Sequence, residues 1–334
     1  MILCWVEPGP SGWEETTRGC LTMARGLAGR LGARLVAFTV GAQPDPVGLD
    51  ELGRLGVEHV HVCAPDDPAY LPAAWGRWLA EAAGSGRACA VLVPGTDRGH
   101  EVLAHAAVRL GVAMVANVTE IGLDESGQPR RITRARWAGS VLEESVLPAG
   151  PTLASTAPHA VAATEVAVAG TPTVRVHPGA VDPADARVRL VEHIPPASTG
   201  VSLATARVVV GGGRGVGDPE GFVVLEQLAS LLGGALGVSR AVTSAGWRPH
   251  TEQVGQTGTK IAPDLYIACG ISGAIQHMAG CRSAKRILAI NTDPAAPILA
   301  QASHAVVADV HQVVPALVEE ITRRRANGGP DRPR

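Results

Sequence analysis

Four short segments in the second half of the chain place glycine and small polar residues directly after apolar runs. Arg207-Val-Val-Val210 leads into Gly211-Gly-Gly-Arg-Gly215 and on to Gly217. A glycine loop between a strand and a helix can wrap a phosphate in backbone amides, and Arg214 within it suits a diphosphate. The loop does not satisfy GxGxxG, because position 216 is Val, and no GK[ST] follows. It reads equally well as a tight turn that lets a helix pack close to a strand. Gly255-Gln-Thr-Gly258 is a second glycine-bracketed polar turn. Leu265-Tyr-Ile-Ala-Cys-Gly-Ile-Ser-Gly-Ala-Ile-Gln-His277 delivers Ser272, Gln276 and His277 just past an apolar strand, and Ile287-Leu-Ala-Ile-Asn-Thr-Asp-Pro294 empties into Asn291 and Asp293. The carboxyl ends of strands in open α/β sheets line the ligand crevice, so all four point to one nucleotide or dinucleotide site. No GxSxG elbow and no nucleophile–base pairing accompanies them.

The elements that must carry these groups are legible in the alternation of apolar runs. In the first half, runs at 2–6, 35–40, 58–63 and 89–93 alternate with windows of helical period. Residues 14–31 put Cys20, Met23, Ala24, Leu27 and Leu31 on one face, and 98–110 put Val102, Ala106 and Leu110 likewise. This predicts a parallel sheet covered on both faces. From 113 to about 157 strand follows strand, which predicts antiparallel or edge structure. Pro195, Pro196, Ser198, Thr199 and Gly200 mark a linker over 195–203. Beyond it, strands are expected at 207–210, 264–268 and 286–290, and helices at 219–233, 273–279 and 310–322. The fold class is therefore α/β with two parallel-sheet domains: 1–195, then 196–322, then a disordered tail at 323–334.

Composition narrows the function classes. The 334 residues are 46% hydrophobic but only 3% aromatic, and 29 Lys and Arg face 31 Asp and Glu for a net charge of −2. Such a balance excludes general nucleic-acid binding, which needs a basic face. No apolar run reaches the 18 or so residues of a membrane span. Six scattered cysteines without a CxxC pair read as reduced thiols, and no basic leader precedes the first strand, so a cytoplasmic location is expected.

At these segments the chain resembles the electron transfer flavoprotein alpha subunit family. The likeness runs through Gly212-Gly-Arg-Gly215, Gly237-Val-Ser-Arg240, Val254-Gly-Gln-Thr-Gly258 and Leu265–His277. It continues through Ala289-Ile-Asn291, Asp293-Pro294, Ala296-Pro297, Val306-Val-Ala-Asp309 and Val313-Val-Pro-Ala-Leu317. It implies a doubly wound FAD-binding second domain, with the first domain facing a beta subunit that completes a heterodimer. It implies an electron carrier, not an enzyme with its own substrate, that takes electrons from flavin dehydrogenases such as acyl-CoA dehydrogenases and passes them toward a quinone-linked acceptor. Low-potential or bifurcating members and a dinucleotide-dependent oxidoreductase are the alternatives. Carried over by position, Arg214 meets the FAD pyrophosphate; Ser239 and Arg240 sit at the isoalloxazine, Arg240 over its face. Val254, Gly255, Gln256 and Thr257 border the flavin, with the Thr257 hydroxyl near N5. Ser272, Gly273, Ala274, Ile275, Gln276 and His277 wrap the diphosphate and ribityl chain, His277 reaching the N1/C2 carbonyl edge. Asn291 and Asp309 hold the adenosine end. Relatives often place Lys directly after the QTG turn; here Thr259 comes first and Lys260 second.

One electron added to a flavin puts negative charge near N1 and the C2 carbonyl, which a fixed Arg240 would favour. One charge at about 4 Å and an effective dielectric near 20 gives roughly 4 kcal/mol. At about 59 mV per tenfold, that is of order 150 mV.

Overall fold

A computed structural model describes all residues except 10–11, 67–68, 137–140, 168, 191, 193–200, 205 and 327–334. The chain divides into two compact units, Met1–Ile194 and Pro195–Arg334. Of the expected linker, residues 195–200 lie outside the described residues.

The first unit opens with β1 (Ile2–Trp5), the short pair β2 (Pro8–Gly9) and β3 (Gly12–Trp13), α1 (Glu15–Leu31), β4 (Leu35–Val40), α2 (Pro46–Arg54) and β5 (His59–Ala64). It continues with α3 (Pro72–Ser85), β6 (Ala90–Pro94), α4 (Asp97–Leu110), β7 (Met114–Gly122), β8 (Arg131–Arg136), β9 (Val141–Val146), β10 (Thr152–Thr156) and β11 (Thr173–Pro178). α1 buries Cys20, Ala24 and Leu27, as the helical period predicts, and stops at left-handed Gly32. α4 begins at Thr96, whose hydroxyl accepts from the Gly99 amide at 2.9 Å. The strands form one sheet in the order β11-β5-β4-β1-β6-β10-β7-β8-β9. It is parallel from β11 to β7 and antiparallel only at β7-β8-β9. The stretch at 113–157 is thus edge structure only in part. β10 enters the parallel core between β6 and β7 and is buried throughout, as its continuous apolar and small residues Thr-Leu-Ala-Ser-Thr allow.

The second unit runs β12 (Val208–Gly212), α5 (Phe222–Leu231), β13 (Ala235–Val238), α6 (Arg240–Ser244), β14 (Leu265–Cys269), α7 (Ile275–Cys281), β15 (Ile287–Asn291), α8 (Pro297–Gln301), β16 (His304–Val307) and α9 (Val310–Ala326). All five strands are parallel, in the order β13-β12-β14-β15-β16. One face of this sheet packs Ala268 against Met278 and Ile298, and the other packs Val210 and Ile290 against Phe222, Leu225 and Val314. Helices on both faces make the sheet doubly wound. β13 and β16, absent from the apolar-run reading, are four-residue strands; β13 contains a glycine and β16 is an exposed edge. Residues 323–326, expected in a disordered tail, instead continue α9. Arg323 and Arg324 there reach back one turn to Glu320, at 2.8 and 2.6 Å, and their positive charge suits the C-terminal end of a helix. The rest of the tail lies outside the described residues.

Candidate functional site

The strand order of the second unit reverses at β12: the chain moves from β12 to β13 on one side, then to β14 on the other. The crevice between the carboxyl ends of β12 and β14 is therefore where an open α/β sheet offers a ligand site. Glycines make it. A Cβ on Gly213 would lie 2.2 Å from the Gly270 carbonyl oxygen, and one on Gly215 would lie 2.7 Å from the Gly270 Cα. Gly270 itself holds φ +62°. The loops after β12 and β14 thus touch backbone to backbone, with the Gly215 amide donating to the Gly270 carbonyl at 3.0 Å. Close packing, one of the two alternatives open from the sequence, is what this loop does, and Gly213, Arg214 and Gly215 also line a cavity.

The crevice opens into a cavity of ≈ 650 Å³. Arg214, Ser239 and Arg240 form one part of its wall, and Val254, Gly255, Gln256 and Thr257 another. Ser272, Ala274, Gln276, His277 and Asn291 complete the expected set found there. Among the described residues, the amides of Ser272 through Gln276 donate to no protein acceptor, so five consecutive N–H groups stand ready for one. No ion pair engages Arg214 or Arg240 among the described residues; Asp293, whose carboxylate accepts from the Ala295 amide at 2.9 Å, is the one acidic side chain on the wall.

Three expected residues are not among those that line the cavity, although the Gly273 and Ile275 amides belong to the free run. Asp309 is off the cavity wall: its carboxylate accepts from the His311 amide at 2.9 Å and so caps the start of α9. Gly273 holds φ +84° and turns toward α8, where a Cβ would meet the Ile298 amide at 2.5 Å. Ile275 points outward and is 68% exposed. Asn291 is on the wall but committed, its Nδ2 donating to the Ile271 carbonyl at 2.9 Å while its Oδ1 accepts from the Asp293 amide at 3.0 Å.

His277 lines the cavity. The imidazole is buried, Tyr266 Oη lies 2.8 Å from its Nε2, and Nδ1 is buried without a hydrogen-bond partner. Burial pushes it down to about 4, offset only in part by the Val254 carbonyl beside it. The ring is neutral near pH 7, with Nε2 committed to Tyr266 and Nδ1 carrying no hydrogen bond to the protein. Tyr266 is fully buried and has room because residue 211 is glycine: a Cβ there would fall 2.2 Å from Tyr266 Oη. Sequence reasoning also missed Gln253 and Ser244, both on the wall. Gln253 is a polar side chain only 2% exposed, and nothing in its sequence neighbourhood signals that burial.

The site fits the FAD that the resemblance implies. Its volume lies within the roughly 300–1,000 Å³ of small-molecule sites. Its glycine cradle, unpaired amides and two unpaired guanidinium groups suit an elongated anion with a diphosphate. Among the described residues no cluster of His, Cys, Asp or Glu could hold a metal ion, and no helix is long and apolar enough to cross a membrane.

Comparison with known proteins agrees. Residues 6–182 match the family described as electron transfer flavoprotein domain. Residues 202–282 match the electron transfer flavoprotein FAD-binding domain, and the second unit accordingly binds FAD. The chain is 33% identical to an electron transfer flavoprotein subunit alpha of Thermoanaerobacterium thermosaccharolyticum, over 90% of this chain and 91% of that one. It is 33% identical to the subunit of the same name in Megasphaera elsdenii, over 91% of each. It is also 33% identical to a protein FixB of Bradyrhizobium diazoefficiens, over 94% of this chain and 85% of that one. This chain belongs to the electron transfer flavoprotein alpha-subunit family.

Proposed function

We propose that the chain is the FAD-holding alpha subunit of a heterodimeric electron carrier. In this reading it takes electrons from flavin dehydrogenases, acyl-CoA dehydrogenases among them, and hands them to a quinone-linked acceptor in the cytoplasm. A beta subunit is its obligate partner, docked on the first domain, and no substrate is turned over by this chain itself.

The observation that carries the reading is the wall of the cavity between β12 and β14. It supplies free amides and guanidinium groups but no acid–base pair: Asp293 is tied to the Ala295 amide and His277 is tied to Tyr266. Bound FAD supplies one- and two-electron chemistry; the chain supplies binding and electrostatics. Arg214 and the amides of residues 272–276 would hold the diphosphate. Arg240, at the first position of α6, would lie against the isoalloxazine and offset negative charge that develops there. Ser239, Val254, Gly255, Gln256 and Thr257 would border the ring, and Asn291 would set the adenosine end by fixing the loop from Ile271.

The test is co-expression with a beta subunit, followed by stepwise reduction under visible absorbance. The expected result is a yellow complex whose flavin bands fall in two separable one-electron stages. A colourless complex that binds another nucleotide would overturn the reading.

A further inference from the structure

Thr257 can serve a flavin only if its hydroxyl proton is not already spent inside the protein, and the structure shows what governs that proton. Gln253 is 2% exposed and lies between two walls of the cavity, α6 with Arg240 on one side and the Gly255–Gly258 turn with Thr257 on the other. Its Oε1 accepts from Thr243 Oγ1 at 2.7 Å, and its Nε2 donates to Thr257 Oγ1 at 3.0 Å. Thr243 Oγ1 also lies 3.0 Å from the Arg240 carbonyl, so the same hydroxyl touches the turn of helix that carries Arg240.

An amide has one accepting end and one donating end, and burying it without both partners costs free energy. With the donating end on Thr257, the threonine oxygen is the acceptor and its own proton remains free. The main chain at this point is held independently of the side chain. The Gln253 amide donates to the His250 carbonyl at 3.0 Å, and the Thr259 amide donates to the Gln253 carbonyl at 2.7 Å. A Cβ on Gly258 would lie 2.2 Å from that carbonyl, which keeps the turn closed over it.

We propose that Gln253 is a positioning residue of the flavin site: its buried amide bridges Thr243 and Thr257 and leaves the Thr257 hydroxyl free to donate into the cavity. The proposal rests on the reading of that cavity as the flavin site. Gln253 touches the cofactor's partners; the donor is Thr257, and Thr243 anchors the far end of the bridge.

The test uses the full chain in its complex with the beta subunit and FAD. It measures the FAD dissociation constant and the potential of the first electron, with thermal unfolding of each complex alongside. Gln253→Met removes the bridge and should weaken FAD binding about five- to tenfold, the worth of one hydrogen bond. The same change made on a Thr257→Val background should add almost nothing, because the hydroxyl it positions is gone. Gln253→Glu has two accepting ends; it draws the Thr257 proton back to itself and should lower both affinity and potential as far as Thr257→Val does. Should Gln253→Met not fold, Thr243→Val leaves the buried site filled and should weaken binding in the same direction, again only where Thr257 is present. Additive losses in the Gln253/Thr257 pair would overturn the proposal, since a merely structural residue would give them. A Gln253→Glu complex with unchanged potential would also overturn it, because it would mean that the threonine proton already points to residue 253. A wild-type complex that holds no FAD would overturn the flavin reading itself, an outcome separate from either of these.

Discussion

His277 makes the acid side of the stability curve a direct readout of the buried Tyr266–His277 pair. In the folded chain burial holds the imidazole near 4 against an ordinary value of 6.5. An unfolded chain would take up a proton at the ordinary value. Between the two, the unfolded state binds more protons, so this histidine contributes stability that is complete above pH 6.5 and is lost as pH falls toward 4. The distance from 6.5 to about 4, at about 1.36 kcal/mol per pH unit, comes to about 3 kcal/mol. Other groups titrate in the same range: His61 is lowered by burial and by His177 beside it, whereas Glu7 is raised by burial and acts with the opposite sign. Comparison with His277→Gln, which does not titrate, cancels both. Denaturant unfolding of the two proteins from pH 7.5 to 3.5 should show wild type losing about 3 kcal/mol relative to the variant, steepest between pH 6 and 4.5 at about 1.4 kcal/mol per unit. Curves that stay parallel over the whole range would refute the argument, because they would mean that the imidazole meets water in the folded chain.

Arg240 is exposed on the cavity wall without a carboxylate partner, so its field lies between the aqueous and protein limits. At about 4 Å these are about 1 and 4 kcal/mol; Arg240→Ala should lower the first-electron potential by roughly 40–150 mV, Arg240→Lys should recover part of it, and an unchanged potential would exclude the role. Gly211→Ala would place a methyl 2.2 Å from Tyr266 Oη and push the tyrosine off His277; the pH dependence just described should shrink in that variant, and a fully preserved dependence would show that the pair does not need the glycine. Asp185, 7% exposed at its side chain, pairs with both Arg77 and Arg109 in the first unit. Asp185→Ala leaves two guanidinium groups facing a missing partner and should cost about 2–4 kcal/mol, read as a lower melting temperature of the first unit with FAD content unchanged.

The fold was largely legible because parallel strands buried on both faces appear as uninterrupted apolar runs, and their helices carry a clean 3.6-residue stripe. What the sequence did not disclose follows from length and environment. β13 is four residues long with glycine in the third position, too short to establish a period. β10 reads locally like any other strand in a strand-rich stretch. Only pairing with β6 and β7, partners some 60 and 40 residues upstream, makes it a core strand. The arginines at 323–325 look like a solvated tail until Glu320 is seen one turn below them.

The site divides along a different line. Backbone positions are easier to read from sequence, because glycine announces itself: the loops at Gly213–Gly215 and Gly270 lie at the strand ends where the spacing puts them. Side chains are harder, because the direction of an O–H or N–H is fixed by a partner that can sit far along the chain. Asp309, His277 and Gln253 show the three outcomes. Asp309 stands in a motif with the right composition, yet its carboxylate accepts from the His311 amide and caps a helix. His277 stands in the right loop and lines the cavity, and a tyrosine eleven positions earlier on the neighbouring strand takes its Nε2. Gln253 attracts no notice in sequence, yet it is the group that connects both walls. A motif therefore locates the cavity, whereas the donors available inside it are decided by buried polar partners behind the wall, and those partners are where substitutions should tune the flavin without touching it.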